Sequence, residues 1–266
     1  MLVAPLAACL LLLVCDGSAI PDNPVPVPNG AVGQSVVEER DECRSPADVL
    51  DLRQWKLTLP VGTREKPADP EEILPPDLSD FAIPPWFQPT GDCAGVAFRA
   101  PIDAPTTSGS KYPRSELREM TPDGRDKASW SSTSGTHTMT VVEAFTSLPR
   151  GKPDLVGAQI HDAEDDVTMF RLEGSNLYVT NGDDANYKLV TDDYVLGTKF
   201  EAKFVVADGR VQAFYNGELQ ATIEKEFSDA YFKVGAYTQA NCQRASPCVS
   251  DNYGETVVYS LSVTHT

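Results

Sequence analysis

Most of the chain after residue 95 consists of short segments in which apolar and polar residues alternate, each separated from the next by turn residues. Alternation with a period of two is typical of strands that bury one face, and no amphipathic helix of ordinary length interrupts the series. The segments are GVAFRAPI, RSELREM, HTMTVVEAF, DLVGAQIHD, TMFRLEG, NLYVTN, KFEAKFVVADGRVQAFYNGEL, YFKVGAYTQ and ETVVYSLSVTH. The pairs Asp208-Gly209 and Asn216-Gly217 are strong hairpin signals. The sequence therefore predicts an all-β protein, one antiparallel β-sandwich of the jelly-roll type.

The first 42 residues differ in composition from the rest. Residues 1–19 have an apolar centre followed by small residues, which predicts a secretory signal peptide cleaved after Ala19. A lipoprotein anchored through Cys15 is the alternative. Residues 20–42 are rich in proline and acidic residues and are expected to form a flexible leader or pro-segment. We expect a secreted, extracellular protein whose residues 43–266 form a single domain.

The start of this domain carries two local signals. SPADVLDL predicts the start of a helix, with Ser45 as its cap and Pro46 at its first position. WKLTLP predicts a strand that Pro60 ends. Residues 62–92 are rich in proline and have few periodic apolar positions, so they are expected to form a long connection.

Four of the six cysteines remain after the predicted signal is removed. An even number of cysteines in an oxidising compartment indicates disulfides, and four of them allow three pairings. Cys242 and Cys248 are close in sequence, so a local bridge between them is favoured, which leaves Cys43 with Cys93. A zinc site is disfavoured because no second C-x-x-C or nearby histidine pair accompanies these cysteines.

The formal charge of the chain is −17, which disfavours nucleic acid and anionic membranes as partners. Net charge acts over about a Debye length, roughly 10 Å at moderate salt, whereas a groove acts at contact distance. Clustered arginines on an acidic protein can therefore still bind an anionic polymer.

The segment RSELR places three charged side chains on one face of a predicted strand, because Arg114, Glu116 and Arg118 occupy every second position. A salt-bridged outer face is the ordinary explanation of such a pattern. A groove that binds a polyanion is the functional one.

Two further predicted strands also pair an apolar face with a polar one. In QIH, Gln159 and His161 share a face, with Ile160 on the other. In YFKVGAYTQ, the polar face carries Tyr231, Lys233, Tyr237 and Gln239. The outer face of one sheet of a sandwich is often concave, and neighbouring strands there would bring these side chains together in a substrate-binding groove.

In combination and in order, RSELR, QIH and YFKVGAYTQ resemble the three signature blocks of polysaccharide lyase family 7, the alginate lyases. WKLTLP and the strand-rich C-terminal part are also similar to that family, and the resemblance covers about residues 46–266. It implies a jelly roll whose concave face binds a uronic-acid polymer and cleaves it by β-elimination, leaving 4,5-unsaturated ends. Such a reaction removes the C5 proton beside a carboxylate, so the enzyme must neutralise that carboxylate.

The resemblance also implies catalytic roles for four residues. Arg114 and Gln159 would neutralise the substrate carboxylate, and the planar fork of arginine suits that task. Tyr237 would be the general acid that protonates the glycosidic oxygen and, for mannuronate, also the base. His161 would be the base for guluronate, whose C5 proton lies on the opposite side. A cationic neighbour, Arg118 or Lys233, would help Tyr237 act as a base.

Four other residues are assigned to substrate binding. Glu116 is expected to orient Arg114 and Arg118 rather than to act on the sugar. Arg118, Lys233 and Gln239 are expected to bind the polymer. No metal or other cofactor is expected, the partner is alginate, and the protein is expected to be monomeric and endo-acting.

Several questions stay open at the level of the sequence. The isoleucine of QIH resembles the variant of the family associated with guluronate-containing blocks, as opposed to valine with mannuronate-rich ones. A lyase of β-1,4-glucuronan is a related alternative. A sandwich-fold glycoside hydrolase is disfavoured because Glu116, flanked by arginines, would be a poor general acid. A non-catalytic binding module would have no need of Gln159, His161 and Tyr237 together.

Overall fold

Two antiparallel sheets build this protein in a computed structural model, which describes residues 43–266. The predicted signal peptide (1–19) and leader (20–42) lie outside the described residues, and the division into domains stays a prediction. Within residues 43–266, the structure has no helix that is long and apolar enough to span a membrane.

Fifteen strands are formed by residues 43–266. They are β1 (Trp55–Gly62), β2 (Pro70–Ile73), β3 (Phe87–Pro89), β4 (Val96–Pro101), β5 (Arg114–Glu119), β6 (His137–Ser147), β7 (Asp154–His161), β8 (Asp166–Glu173), β9 (Asn176–Asn181), β10 (Asp184–Thr191), β11 (Phe200–Ala207), β12 (Arg210–Tyr215), β13 (Glu218–Glu224), β14 (Tyr231–Thr238) and β15 (Tyr253–His265). The first sheet has the order β10-β9-β8-β7-β14-β5-β1-β2, and the second has the order β13-β12-β11-β6-β15-β4-β3. The predicted all-β sandwich of the jelly-roll type is confirmed.

The core lies between the two sheets and is built from the alternating apolar positions. In β11, for example, Phe200, Ala202, Phe204 and Val206 are fully or almost fully buried, while the alternate residues are partly exposed. In β14, Phe232 and Val234 are buried in the same core. Each such side chain contributes roughly 1.5–3 kcal/mol by leaving water. Burying the apolar face of β14 turns its polar face, which carries Lys233, away from the core.

Three strands were not anticipated from the sequence, and all three lie at the edges of sheets. The predicted connection 62–92 contains β2 and β3, together with a short 3-10 helix at Asp77–Ser79, and β10 is an edge strand as well. An edge strand pairs on one side only and is held largely by backbone hydrogen bonds, so it needs little apolar alternation.

The helix start predicted at SPADVLDL is realised as a single 3-10 turn, Pro46–Asp48. Asp48 caps this turn, because its Oδ2 accepts hydrogen bonds from the backbone N–H groups of Arg44 (2.7 Å) and Ser45 (2.9 Å). The chain then enters β1 after only a short link.

Both favoured disulfides are present. Cys242 is bonded to Cys248 across six residues, and Cys43 is bonded to Cys93 across fifty. The second bridge ties the start of the described chain to the loop before β4.

Candidate active site

The three strands with polar faces are neighbours in the first sheet. Strand β14 lies between β7 and β5, so Lys233 is paired with Gln159 on one side and with Arg118 on the other. Tyr237 is paired in the same way with Arg114. The separated sequence blocks therefore meet on one face of the sheet.

A cleft of about 420 Å³ opens on this face. Of the eight residues assigned to the site, six line it, namely Arg114, Arg118, Gln159, His161, Lys233 and Tyr237. Glu116 is 1% exposed and lies beneath the cleft. Gln239 follows the last residue of β14 and is not among the residues that line the cleft; its carbonyl oxygen accepts a hydrogen bond from Lys152 Nζ.

Glu116 joins three of the cleft residues at one buried carboxylate. Its Oε2 lies 2.8 Å from Arg114 Nη1 and 2.6 Å from Lys233 Nζ, and its Oε1 accepts a hydrogen bond from Gln159 Nε2. Burial alone would raise the pKa of Glu116, but the charges of Lys233 and Arg114 outweigh it and hold that pKa below its ordinary value. The ionised carboxylate thus fixes two cations and an amide around one point.

Arg118 is oriented differently from the expectation that Glu116 would hold both arginines. Its guanidinium carbon lies 3.7 Å from the centre of the Tyr231 ring, and its Nη1 donates to the backbone oxygen of Glu119. In the described part of the chain, no hydrogen bond or ion pair joins Arg118 to Glu116. Lys233 of the neighbouring strand β14 is the second cation that Glu116 holds. The pattern of β5 alone does not reveal this contact.

Tyr237 faces a cation and a hydroxyl. The guanidinium carbon of Arg114 lies 3.9 Å from the centre of its ring, and its hydroxyl is 3.0 Å from Ser110 Oγ. A cation over an aromatic face is attracted to the ring and also fixes its position. The phenol is therefore held at the cleft surface next to a permanent positive charge.

The hydrogen bond of His161 identifies its basic nitrogen. Nδ1 lies 2.7 Å from the backbone oxygen of Asp162, and because a carbonyl oxygen can only accept, Nδ1 must donate. In the neutral ring, Nε2 then carries the lone pair. Burial, and to a smaller extent the charge of Lys233, lowers the pKa of His161, although the hydrogen bond to Asp162 opposes this effect. The lowered pKa favours the neutral imidazole, which can act as a base. The ring also stacks on Tyr231, with centroids 5.3 Å apart.

Lys56 was missed by the sequence analysis, as were the roles of Tyr231 and Ser110. Lys56 is paired with Arg118 across β1 and β5, lines the cleft, and forms an ion pair with Glu72. The alternation in WKLTLP places Lys56 on the other face of the strand from the apolar Trp55 and Leu57. The sequence therefore predicts that its side chain points away from the core. Ser110 lies in a loop without any pattern.

The glycine in YFKVGAYTQ permits the close approach of β14 to β5. Gly235 has a φ of +144°, and a Cβ there would lie 2.5 Å from the backbone oxygen of Ser115 and 2.9 Å from Glu116 Cα. Between Lys233 and Tyr237, β14 also has one residue more than the paired stretch of β7, which is a β-bulge. Toward β5 the pairing from Lys233 to Tyr237 stays regular, so both side chains remain on the cleft face.

We expect Gly235→Ala to lower activity strongly, because the added Cβ would push β5 and its Glu116 away from β14. Gly174→Ala is the matched control, since Gly174 also has a positive φ (+63°) but a Cβ there meets nothing within 4 Å. The measurements are the rate on substrate and the midpoint of thermal unfolding. Equal effects of both substitutions would show that backbone strain, and not the contact with β5, is responsible.

A jelly-roll cleft with arginines, lysines, an amide, an imidazole and a phenol around a buried carboxylate is the arrangement expected of a polysaccharide lyase. The family model described as alginate lyase matches residues 50–265. The chain therefore belongs to the alginate lyases of polysaccharide lyase family 7.

Solved structures agree with this assignment. The alginate lyase from Corynebacterium sp. is 59% identical, with a TM-score of 0.82 over 85% of this chain and 100% of that one. The family-7 alginate lyase AlgAT5 is 47% identical, with a TM-score of 0.78 over 84% and 99%. A variant of the alginate lyase A1-II′ in complex with the product GGG is 27% identical, with a TM-score of 0.70 over 84% and 100%. The comparison with curated proteins returned no match.

Proposed function

We propose that this alginate lyase is secreted, cleaves within alginate chains by β-elimination at the cleft of the first sheet, and favours guluronate-containing blocks. The observation that carries the site assignment is the convergence of Arg114, Gln159 and Lys233 on the buried carboxylate of Glu116, next to Tyr237 and His161. The product complex of the related A1-II′ variant supports an oligosaccharide of this kind as ligand.

Charge neutralisation is the first task of the cleft. The C5 proton of a uronate is hard to remove because the adjacent carboxylate is negative and becomes more so as the bond breaks. Arg114 and the amide of Gln159 supply donors that are already oriented by Glu116, so little reorganisation is needed during the reaction. A single preorganised donor of this kind is worth about 3–4 kcal/mol.

Proton transfer is the second task. For guluronate, Nε2 of His161 takes the C5 proton, because Nδ1 is committed to Asp162. Tyr237 donates its proton to the departing glycosidic oxygen at C4, and the charge of Arg114 above its ring stabilises the phenolate that remains. For mannuronate, whose C5 proton lies on the other side, Tyr237 serves as both base and acid.

Endo-action is supported by the extent of the charged face. Polar side chains that line the cleft come from six adjacent strands, β8, β7, β14, β5, β1 and β2. At about 4.8 Å between strands, the face extends for roughly 24 Å, which is longer than one sugar ring. Gln239 remains proposed for a flanking position. The predicted signal peptide and two disulfides support secretion.

The test is incubation with alginate while following the ultraviolet absorbance of the new C4–C5 double bond. Rising absorbance with large early products supports an endo-acting lyase, and absorbance with only the smallest products contradicts endo-action. New reducing ends without absorbance would indicate a hydrolase, and neither signal would indicate a binding module. Rising absorbance with β-1,4-glucuronan but not with alginate would identify β-1,4-glucuronan as the substrate.

We expect His161→Ala to lower the rate on polyguluronate by about 10²- to 10⁴-fold, the usual contribution of a positioned base. The rate on polymannuronate should fall by much less, since Tyr237 serves as the base there. Initial rates on the two block polymers measure the difference. An equal loss on both would contradict the division of roles.

The charge of Lys233 should make substrate binding depend on pH. Burial lowers the pKa of Lys233 to about 8, against the opposing charge of Glu116. Lys233 is therefore charged below pH 8 and loses its proton above it, so KM for the anionic polymer should rise between pH 7 and pH 9. Lys233→Arg keeps its charge throughout and should abolish that rise. The same rise in both proteins would assign it to another group.

A further inference from the structure

The cleft carries as many negative groups as positive ones, although its proposed substrate is a polyanion. Five cationic side chains line it or reach its floor, namely Lys56, Arg114, Arg118, Lys127 and Lys233. Two carboxylates, Glu72 and Glu116, form ion pairs with these cations. Three more carboxylates line the cleft, and within residues 43–266 none of the three is ion-paired: Glu164, Asp165 and Asp166.

These three carboxylates belong to the turn between β7 and β8 and the first residue of β8, directly after His161. The turn is held in place, because Asp162 Oδ1 accepts hydrogen bonds from the backbone N–H groups of Glu164 (2.9 Å) and Asp165 (3.0 Å). Asp166 is paired with His161 across the two strands. The negative charges are thus fixed at the His161 end of the cleft.

The charges of this turn are crowded. Burial, together with the charge of Asp165, raises the pKa of Asp166 to about 6, and Oδ2 of Asp166 has no hydrogen-bond partner in the described structure. Lys56 and Arg118 lie farther from the turn, paired across β1 and β5, and Lys233 of β14 lies between them and β7. The cleft therefore changes sign along its length.

We propose that Glu164 and Asp165 are specificity-determining residues that disfavour a uronate carboxylate beyond His161, at the end of the cleft next to the turn that carries them. The proposal rests on the proposed function, since it requires an anionic polymer in the cleft. Repulsion beyond His161 keeps the carboxylate of the reacting sugar at Arg114 and Gln159. It directs the other carboxylates of the bound chain toward Arg118, Lys56 and Lys127, and it limits how many sugars bind beyond His161. The same turn weakens binding of the whole polymer at low salt, where charges act over the longest range.

The test is the double variant Glu164→Gln, Asp165→Asn, which keeps the size of both side chains and removes two charges. KM for a short oligoguluronate should fall by about three- to tenfold at low ionic strength, and the difference from wild type should vanish near 1 M salt, where the Debye length is about 3 Å. The smallest products should also become longer by a sugar, because binding of a further sugar beyond His161 is no longer opposed.

The matched control is Glu218→Gln, Glu224→Gln, which makes the same change in net charge on β13, at the far edge of the other sheet. Both side chains are exposed, and neither carboxylate forms an ion pair within residues 43–266. We expect its KM to stay within twofold of wild type. An equal fall in KM in both double variants, no fall at all, or a fall that persists at high salt would each overturn the proposal.

Two further measurements keep the outcome clear. Glu164→Gln alone, whose side chain makes no hydrogen bond within residues 43–266, should show part of the effect if the double variant folds poorly. Wild-type absorbance on alginate tests the proposed function in the same assay. Cleavage by wild type with unchanged KM in both variants overturns only the role of the turn, whereas no cleavage of any polyuronate overturns both.

Discussion

Tyr237→Phe is expected to lower kcat on alginate by about 10²- to 10⁴-fold or more, while KM and the midpoint of thermal unfolding stay close to wild type. Only a hydroxyl is lost, and the contact of the ring with the Arg114 guanidinium at 3.9 Å remains. The hydroxyl is the proposed proton donor to the glycosidic oxygen, so its loss removes a step without removing the binding site. The measurement is the initial rate of ultraviolet absorbance over a range of substrate concentrations.

Tyr112→Phe is the control for this experiment. Tyr112 packs edge-on against Tyr237 with centroids 6.5 Å apart, and its hydroxyl makes no hydrogen bond in the described part of the chain. Removing that hydroxyl should leave kcat within about twofold. If Tyr237→Phe kept most of its kcat, another group would have to be the acid.

Glu143→Gln is expected to stabilise the protein at pH 8 to 9. Glu143 lies on the inner face of β6 and is 0% exposed, and neither carboxylate oxygen has a hydrogen-bond partner in the described structure. A Cβ added to Gly157 of β7 would lie 2.6 Å from its oxygens, so the carboxyl fills the space beneath that glycine. Burial raises the pKa of Glu143 to about 8, against the opposing effect of the nearby backbone N–H of Ala158.

The sign of the effect follows from proton linkage. Below the unfolded pKa, near 4.5, the group is protonated in both states and folding needs no proton. Between that value and about 8 the folded state binds a proton that the unfolded state has lost, so stability falls by about 1.4 kcal/mol per pH unit. The whole penalty is on the order of 4–5 kcal/mol and is complete above pH 8. Glutamine does not titrate and should escape it.

Denaturant unfolding at pH 5 and at pH 8.5 measures this difference. The variant should be close to wild type at the lower pH and clearly more stable at the higher one. Glu224→Gln on exposed β13 should show no such change with pH. Parallel stability curves for wild type and Glu143→Gln would contradict a neutral carboxyl in the core.

The sequence predicted those parts of the fold that depend on local alternation. Strands such as β11 and β14 bury one face, and the alternation of apolar and polar residues indicates which face is buried. The edge strands β2, β3 and β10 were not predicted, because each pairs on one side only and buries little apolar surface. Glu143 occupies an apolar position in HTMTVVEAF, so its inward direction was readable, but its lack of a partner was not.

The sequence predicted which residues belong to the candidate site better than it predicted the contacts among them. The alternation of three segments and the family resemblance identified six residues that line the cleft. The position of β14 between β7 and β5 is a property of the sheet order, which no local pattern contains. For that reason the contacts of Glu116 with Lys233 and Gln159, and of Arg118 with Tyr231, appeared only in the structure.

The central claim is that Arg114, Gln159, His161 and Tyr237 act together on one uronate in a single cleft. A crystal structure of Tyr237→Phe with a bound guluronate tetrasaccharide tests it most directly. We predict that the carboxylate of one sugar accepts hydrogen bonds from Arg114 and Gln159, with Nε2 of His161 facing C5 of that sugar. An oligosaccharide bound elsewhere, or one whose carboxylates avoid Arg114 and Gln159, would contradict the account.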